Sequence, residues 1–128
     1  MEQEGAILAL GALAQITRLE TFQLLVKSEP AGVPAGELAR SIGIPQNTMS
    51  AHLSILARAN LIVSQRHSRS IIYRVNLKTF QALMMFMVQD CCGGRSALSG
   101  EFLESLLRCD PPKKKLRLKK DGIVVDVA

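Results

Sequence analysis

Two adjacent cysteines, Cys91 and Cys92, are the residues of this 128-residue chain best suited to ligand chemistry. A third cysteine, Cys109, follows after a glycine-containing stretch. Thiolates are soft ligands that select soft or thiophilic ions. Neighbouring thiols at the end of a helix can both turn toward one ion, and Cys109, from the same chain or a partner, would add a third sulfur. We therefore predict a thiolate binding site made by these three residues.

The stretch Gly36–Tyr73 predicts the element that dominates the fold, a helix-turn-helix followed by a β-hairpin. A short helix through Glu37–Ile42 ends at Gly43, which tolerates the left-handed conformation of a helix end. Pro45 is well placed at the opening of a second helix. That helix, Asn47–Ala59, carries an apolar face made of Met49, Leu53, Leu56 and Ala57.

The runs Leu61–Ser64 and Ser70–Val75 are β-branched and aromatic, which predicts two paired strands. Between them, Gln65–Arg69 forms a basic, polar tip typical of a wing. We therefore predict a mainly α fold with a β-hairpin wing, a winged helix-turn-helix. An ordinary helical hairpin followed by a solvated β-hairpin is the alternative, and it requires four ordered features to coincide by chance.

This fold predicts contacts with double-stranded DNA. The exposed side of the second helix would meet base edges through Gln46, Asn47, Ser50 and Ala51. His52 would pack or touch a phosphate, and the wing would hold the DNA backbone or minor groove through Arg66, His67 and Arg69. The net charge is +5, and no acidic residue occurs from Ser41 to Gln89. This predicts a surface of one sign that attracts phosphate.

The first and last core helices are unusually apolar and predict a homodimer through both. In Gly5–Leu13 the large residues surround the helix, and Leu77–Asp90 is rich in methionine. A dimer would place two recognition helices in successive major grooves about 34 Å apart. Between these elements we predict an ordinary core helix, Thr17–Ser28, with its apolar side formed by Leu19, Phe22, Leu25 and Val26, and then a loop over Glu29–Pro34.

We expect two regions, a DNA-binding and dimerisation domain over residues 1–92 and an extension over residues 93–128. The extension includes helical turns at Gly100–Leu107 and a basic run, KKKLRLKK, either a DNA-contacting arm or a solvated tail. A short hairpin would pair Leu116–Leu118 with Ile123–Val125. No apolar run is long enough for a membrane span. An odd cysteine count without a secretory signal favours a reduced, cytoplasmic setting.

Other interpretations of the thiols remain open. Vicinal cysteines can oxidise, so a dithiol redox or persulfide switch is an alternative, as are incidental thiols without a ligand. Zinc is disfavoured, because it needs four ligands and both histidines lie in the DNA-reading half. An enzyme is also disfavoured. A Cys-x5-Arg loop would need arginine at Ala97 or Leu98, and no Cys-x-x-Cys is present.

Over roughly Ala9–Cys92, the chain resembles the ArsR/SmtB family of winged-helix metalloregulators. The resemblance rests on Thr17-Arg18-Leu19, on GELARSIGIPQNTMSAHLSIL, on ANLIVSQRHSRSIIYRV and on the cysteine pair. It implies a homodimeric repressor that binds an inverted-repeat operator and releases it when an inducer binds.

Within this family, the positions of the ligand residues differ between sensors of different ions, so the ligand residues present here imply the inducer. The first helix of the helix-turn-helix, ELARSI, lacks the cysteines of one arsenic-sensing variant, and Leu77–Gln89 lacks the histidine and acid ligands of zinc sensors. The Asp90-Cys91-Cys92 sequence is similar to arsenic repressors with ligands at the end of the last core helix. We therefore expect arsenite or antimonite, held in a pyramid of three sulfurs. If Cys109 cannot reach the site, a methylated trivalent arsenical is favoured.

Overall fold

The computed structural model describes residues 1–91, 116–119 and 122–125. It divides into two compact units, Met1–Cys91 and Cys92–Ala128. The first unit is a winged helix-turn-helix, which confirms the predicted fold class. Its elements are α1 (Gln3–Leu13), α2 (Ile16–Lys27), β1 (Val33–Pro34), α3 (Ala35–Ile42), α4 (Gln46–Arg58), β2 (Ile62–His67), β3 (Ser70–Val75) and α5 (Leu77–Phe86), followed by a π-helical turn at Met87–Cys91.

The wing belongs to a three-stranded antiparallel sheet in the order β1-β3-β2. Strand β2 pairs with β3 from Ile62↔Val75 to His67↔Ser70, so the tip is the two-residue turn Ser68-Arg69. The tip is thus shorter than predicted. The prediction of a loop over Glu29–Pro34 was wrong at its end, because buried Val33 and the edge residue Pro34 pair with β3.

The core of the first unit is formed by one side of each helix packed with the base of the sheet. Its fully buried members are Leu25, Leu38, Met49, Leu53, Leu56, Leu61, Leu83 and Thr21. The predicted core face of α4 is confirmed except at Ala57, which is exposed, whereas Ala59 is buried. The predicted core face of α2 was wrong for Leu19 and Val26, which are exposed. The buried face of α2 consists of Thr21, Phe22 and Leu25. Around the helix axis, Leu19 and Val26 lie past Phe22 and therefore outside this face.

The predicted last helix continues through the expected residues but changes its geometry. The α-helix ends at Phe86, and Met87–Cys91 forms a π-helical turn. Leu83 is buried, whereas Met84 and Met85 are exposed. No helix in the described part of the chain has the length and apolar character needed to cross a membrane.

In the second unit, β4 (Leu116–Lys119) and β5 (Gly122–Val125) pair antiparallel from Leu116↔Val125 to Lys119↔Gly122. This confirms the predicted short hairpin. The predicted helical turns at Gly100–Leu107, and the residues Cys92 and Cys109, lie outside the described residues.

Two glycines with positive φ allow a matched test of backbone strain. Gly43 ends α3 at φ 83, and a Cβ there would meet nothing within 4 Å. Gly32 has φ 78, and a Cβ there would lie 2.8 Å from the carbonyl oxygen of Tyr73 and 2.7 Å from Ile72 Cγ2. Gly43→Ala should therefore cost only the left-handed strain, about 1–2 kcal/mol. Gly32→Ala should cost more, because β1 must also move away from β3.

Urea denaturation of both variants measures the difference, and Gly43→Asn is the control, because asparagine tolerates this conformation better than alanine. Equal losses of unfolding free energy in Gly32→Ala and Gly43→Ala would contradict this prediction, because they would show that β1 moves away from β3 without loss of stability.

Candidate nucleic-acid interface

The recognition helix α4 separates its buried and exposed residues at its first turns. Met49 is fully buried against the core, whereas Gln46, Asn47, Ser50 and Ala51 are all exposed. Asn47 Oδ1 accepts a hydrogen bond from the Thr48 backbone N–H at 2.9 Å, which leaves the Asn47 amide nitrogen to donate outward. The four residues predicted to read bases therefore lie at the accessible start of one rigid helix.

A concave surface of about 610 Å³ lies between α3, α4 and the wing. Its lining includes Gln46 and Ser50 of the recognition helix and Arg69 of the wing tip, which the sequence predicted as DNA contacts. It also includes Arg40 from the last turn of α3. A Cβ on Gly36 would lie 3.6 Å from Arg40 Nη1 and 3.8 Å from Gln46 Nε2, so these side-chain ends approach the same point. Sequence reasoning missed Arg40, although its place one turn before the glycine turn could have indicated it.

The wing residues do not all face this surface. Arg66 pairs with Ile71 and therefore shares a face of the hairpin with Ile71 and Tyr73, which line the concave surface. His67, the next residue, projects from the opposite face. Arg66, His67 and Arg69 are all exposed, and of the three only Arg69 lines the concave surface.

The positive charge of Arg74 is offset by an ion pair with Glu29. Its Nη2 lies 2.8 Å from Glu29 Oε2, and its Nε donates to Oε1 at 3.2 Å. The hydrogen bond from Arg74 holds the Glu29 pKa below its usual range and raises the pKa of Arg74. Glu29 and Glu37 both precede the acid-free stretch in sequence, yet Glu29 pairs with Arg74 and Glu37 lines the concave surface. The prediction of a surface of one sign was therefore wrong.

His52 lies against α2 on the partly buried side of the recognition helix. Its Nδ1 is 3.4 Å from Nη1 of Arg18. The structure thus brings Gln46, Ser50 and Arg69 to one surface and places His52 apart from them.

The predicted thiolate site lies at the end of the described chain. Cys91 is the last residue of the π-helical turn that continues α5. Cys92 and Cys109 fall outside the described residues, so their relation to Cys91 stays a prediction. Among the side chains that the structure describes in the first unit, residues 1–89, no three His, Cys, Asp or Glu lie close enough together to hold a metal ion.

Comparison with known proteins identifies the class to which this fold belongs. A sequence family described as a helix-turn-helix domain matches residues 13–65. The nodulation protein NolR of Rhizobium meliloti is 39% identical over 64 residues, and this match covers 50% of this chain and 50% of that protein. The chain thus spans about half the length of this curated relative.

Solved structures extend the match. The crystal structure of NolR from Sinorhizobium fredii is 30% identical, with a TM-score of 0.55, over 66% of this chain and 82% of that one. A homodimeric winged helix-turn-helix DNA-binding domain, Mb0332 from Mycobacterium bovis, is described as a possible ArsR-family regulator. It is 22% identical, with a TM-score of 0.56, over 66% and 77% of the two chains. The fold is that of a winged-helix DNA-binding regulator.

More narrowly, the chain belongs to the family of winged helix-turn-helix regulators that includes NolR, and an ArsR-like transcriptional regulator from Rhodococcus shares its fold. The winged-helix regulator predicted from the sequence is confirmed, whereas its response to a metalloid stays a prediction.

Proposed function

We propose that this chain is a homodimeric transcriptional repressor that binds an inverted-repeat operator. The observation that carries the proposal is the concave surface where Gln46 and Ser50 meet Arg40 and Arg69. Polar side chains on a rigid helix suit base edges in the major groove. Arginines on both walls suit the phosphates on either side of that groove.

Homodimerisation is supported by apolar side chains that the first unit leaves uncovered. Helix α1 turns its alanines inward, Ala6, Ala9 and Ala12, and leaves Ile7, Leu8 and Leu10 exposed. Helix α5 exposes Met84 and Met85. Large apolar residues on two neighbouring helices are typical of a subunit interface.

The proposed inducer is trivalent arsenic or antimony, bound by thiolates of Cys91, Cys92 and Cys109. A donor set of thiolates alone fits such thiophilic ions. Cys91 ends a π-helical turn, a rare geometry found often at functional sites. That turn continues α5, which carries part of the proposed interface. An inducer there would release DNA if it binds more tightly to a dimer geometry that does not fit the operator.

The test begins with a duplex selected by the reduced protein from random-sequence DNA, and binding is followed by fluorescence anisotropy. We expect a selected sequence with two-fold symmetry. Arsenite or antimonite should then weaken binding by roughly 5- to 150-fold, the usual range of allosteric coupling. A methylated trivalent arsenical, zinc and a mild thiol oxidant are titrated in parallel.

Serine variants distinguish the thiol hypotheses. Cys91→Ser with Cys92→Ser should abolish release by arsenite while leaving DNA affinity intact, and Cys109→Ser should do the same if the third sulfur is needed. Release by the methylated arsenical alone, without need of Cys109, would indicate a two-thiol site. Release only by the oxidant would indicate a redox switch. If the reduced protein selects no duplex from the random-sequence DNA, the repressor proposal itself is overturned.

A further inference from the structure

The guanidinium of Arg18 contacts two helices besides its own. Its Nε donates to the Ala12 carbonyl at 2.6 Å, and its Nη2 donates to the Gly11 carbonyl at 3.5 Å. Its Nη1 lies 3.4 Å from Nδ1 of His52 in the middle of α4. One planar group with fixed donor directions thus connects the end of α1 to the recognition helix.

The end of α1 fixes Arg18 firmly. The last carbonyls of a helix lack partners within it and carry partial negative charge, and α1 has no basic residue in its own last turn. Arg18 supplies that positive charge from the next helix. Its backbone N–H also donates to Gln15 Oε1 at 2.9 Å, the cap at the start of α2. Among the described side chains of residues 1–89 the ion pair is that of Arg74 with Glu29, so no carboxylate in this range pairs with Arg18.

A second contact joins α2 to α4 one turn further along. Thr21 is fully buried, and its Oγ1 lies 3.9 Å from Sδ of Met49. Arg18 and Thr21 are three residues apart on α2, as Met49 and His52 are on α4, so both pairs lie on one face of their helix. Met49 and His52 flank Ser50 and Ala51 of the proposed base-reading surface. The contacts from α2 therefore fall on the two α4 residues on either side of the proposed base-reading pair.

We propose that Arg18 is a positioning residue for DNA binding, and that His52 is its acceptor on the recognition helix. The pair ties the orientation of α4 to the end of α1. His52 then serves as an internal anchor and contacts no phosphate. As acceptor, its ring carries the proton on Nε2 and presents a free Nδ1. This inference rests on the proposed DNA-binding function and adds to it the device that aims the recognition helix.

A double-mutant cycle tests the pair on the selected duplex. Arg18→Met keeps the side-chain length without donors, and His52→Leu keeps the volume without an acceptor. Each should weaken DNA binding roughly five- to tenfold, the size of the net contribution of one ordinary hydrogen bond. The double variant should be little weaker than Arg18→Met alone. His52→Asn, whose Oδ1 can replace Nδ1 as acceptor, should restore most of the affinity lost in His52→Leu.

The salt dependence of binding separates positioning from direct contact. Loss of a phosphate contact lowers the slope of log K against log salt by about one, whereas loss of a positioning residue leaves the slope unchanged. A lower slope in either single variant would overturn the proposal. So would additive losses in the double variant, or full affinity in His52→Leu.

Hydrogen exchange without DNA keeps this test independent of the proposed function. Arg18→Met and His52→Leu should each speed amide exchange in α4, again without adding in the double variant. If the wild type binds no duplex but exchange behaves in this way, the tie stands and the repressor proposal fails. Unchanged exchange in α4 of His52→Leu would overturn the tie.

Discussion

Reversing both wing arginines, Arg66→Glu with Arg69→Glu, should weaken binding to the selected duplex by at least about 100-fold. Both arginines are exposed; Arg69 lines the concave surface, and Arg66 pairs with Ile71, which also lines it. A charge-assisted contact with phosphate contributes roughly 1.5–3 kcal/mol, and a glutamate in its place adds repulsion. The salt slope should also fall by about two, because two phosphate contacts are lost. Anisotropy titrations at several salt concentrations measure both quantities.

The matched control is Lys27→Glu with Lys78→Glu, which changes the net charge by the same amount at residues outside the concave surface. Lys27 ends α2, and Lys78 lies in the first turn of α5. We expect this control to lose far less affinity. A loss equal to that of the wing variant would mean that overall charge, and not the wing, determines binding. His67→Glu should have an intermediate effect, because His67 projects from the other face of the hairpin.

The parts of the fold that were predictable depend on local patterns. The Gly43 turn, the Pro45 helix start and the β-branched strands each follow from residues within one turn or one hairpin, and the structure confirms them. The short β1 could not be predicted, because Val33 becomes a strand only by pairing with Tyr73, forty residues later. The exposure of Leu19 and Val26 likewise depends on which neighbours cover α2.

The candidate site shows the same division. The exposed start of α4 follows from helical periodicity and was predicted correctly as a surface. The prediction of a surface of one sign was wrong because residues far apart in sequence can be close in space. Glu29 pairs with Arg74 although 45 residues separate them. Arg40 was missed because it lies just before the acid-free stretch. The contact between Arg18 and His52 spans 34 residues and has no signal in local spacing.

A single charge in the exposed face of α1 should dissociate the proposed dimer. Ile7 is 61% exposed although it is a large apolar residue in the middle of a well-formed helix. In a two-fold dimer each substitution occurs twice, and burying an unpaired polar group costs about 1–3 kcal/mol each time. Ile7→Glu should therefore raise the dimer dissociation constant by about 30-fold or more. Sedimentation velocity over a range of concentrations measures this change.

Ile16→Glu is the matched control, because Ile16 is 65% exposed and apolar but opens α2, outside the proposed interface. It should leave the dimer intact, and a glutamate at a helix start is favourable. Operator affinity should also fall in Ile7→Glu, because a monomer contacts only one half-site. In a dimer, binding at one half-site raises the effective concentration of the second subunit at the other. A dimer that survives Ile7→Glu but dissociates with Ile16→Glu would move the interface from α1 to the exposed side of α2, where Leu19 and Val26 also lie. The two recognition helices would then stand at a different separation, and the symmetry and spacing of the selected duplex would have to change with them.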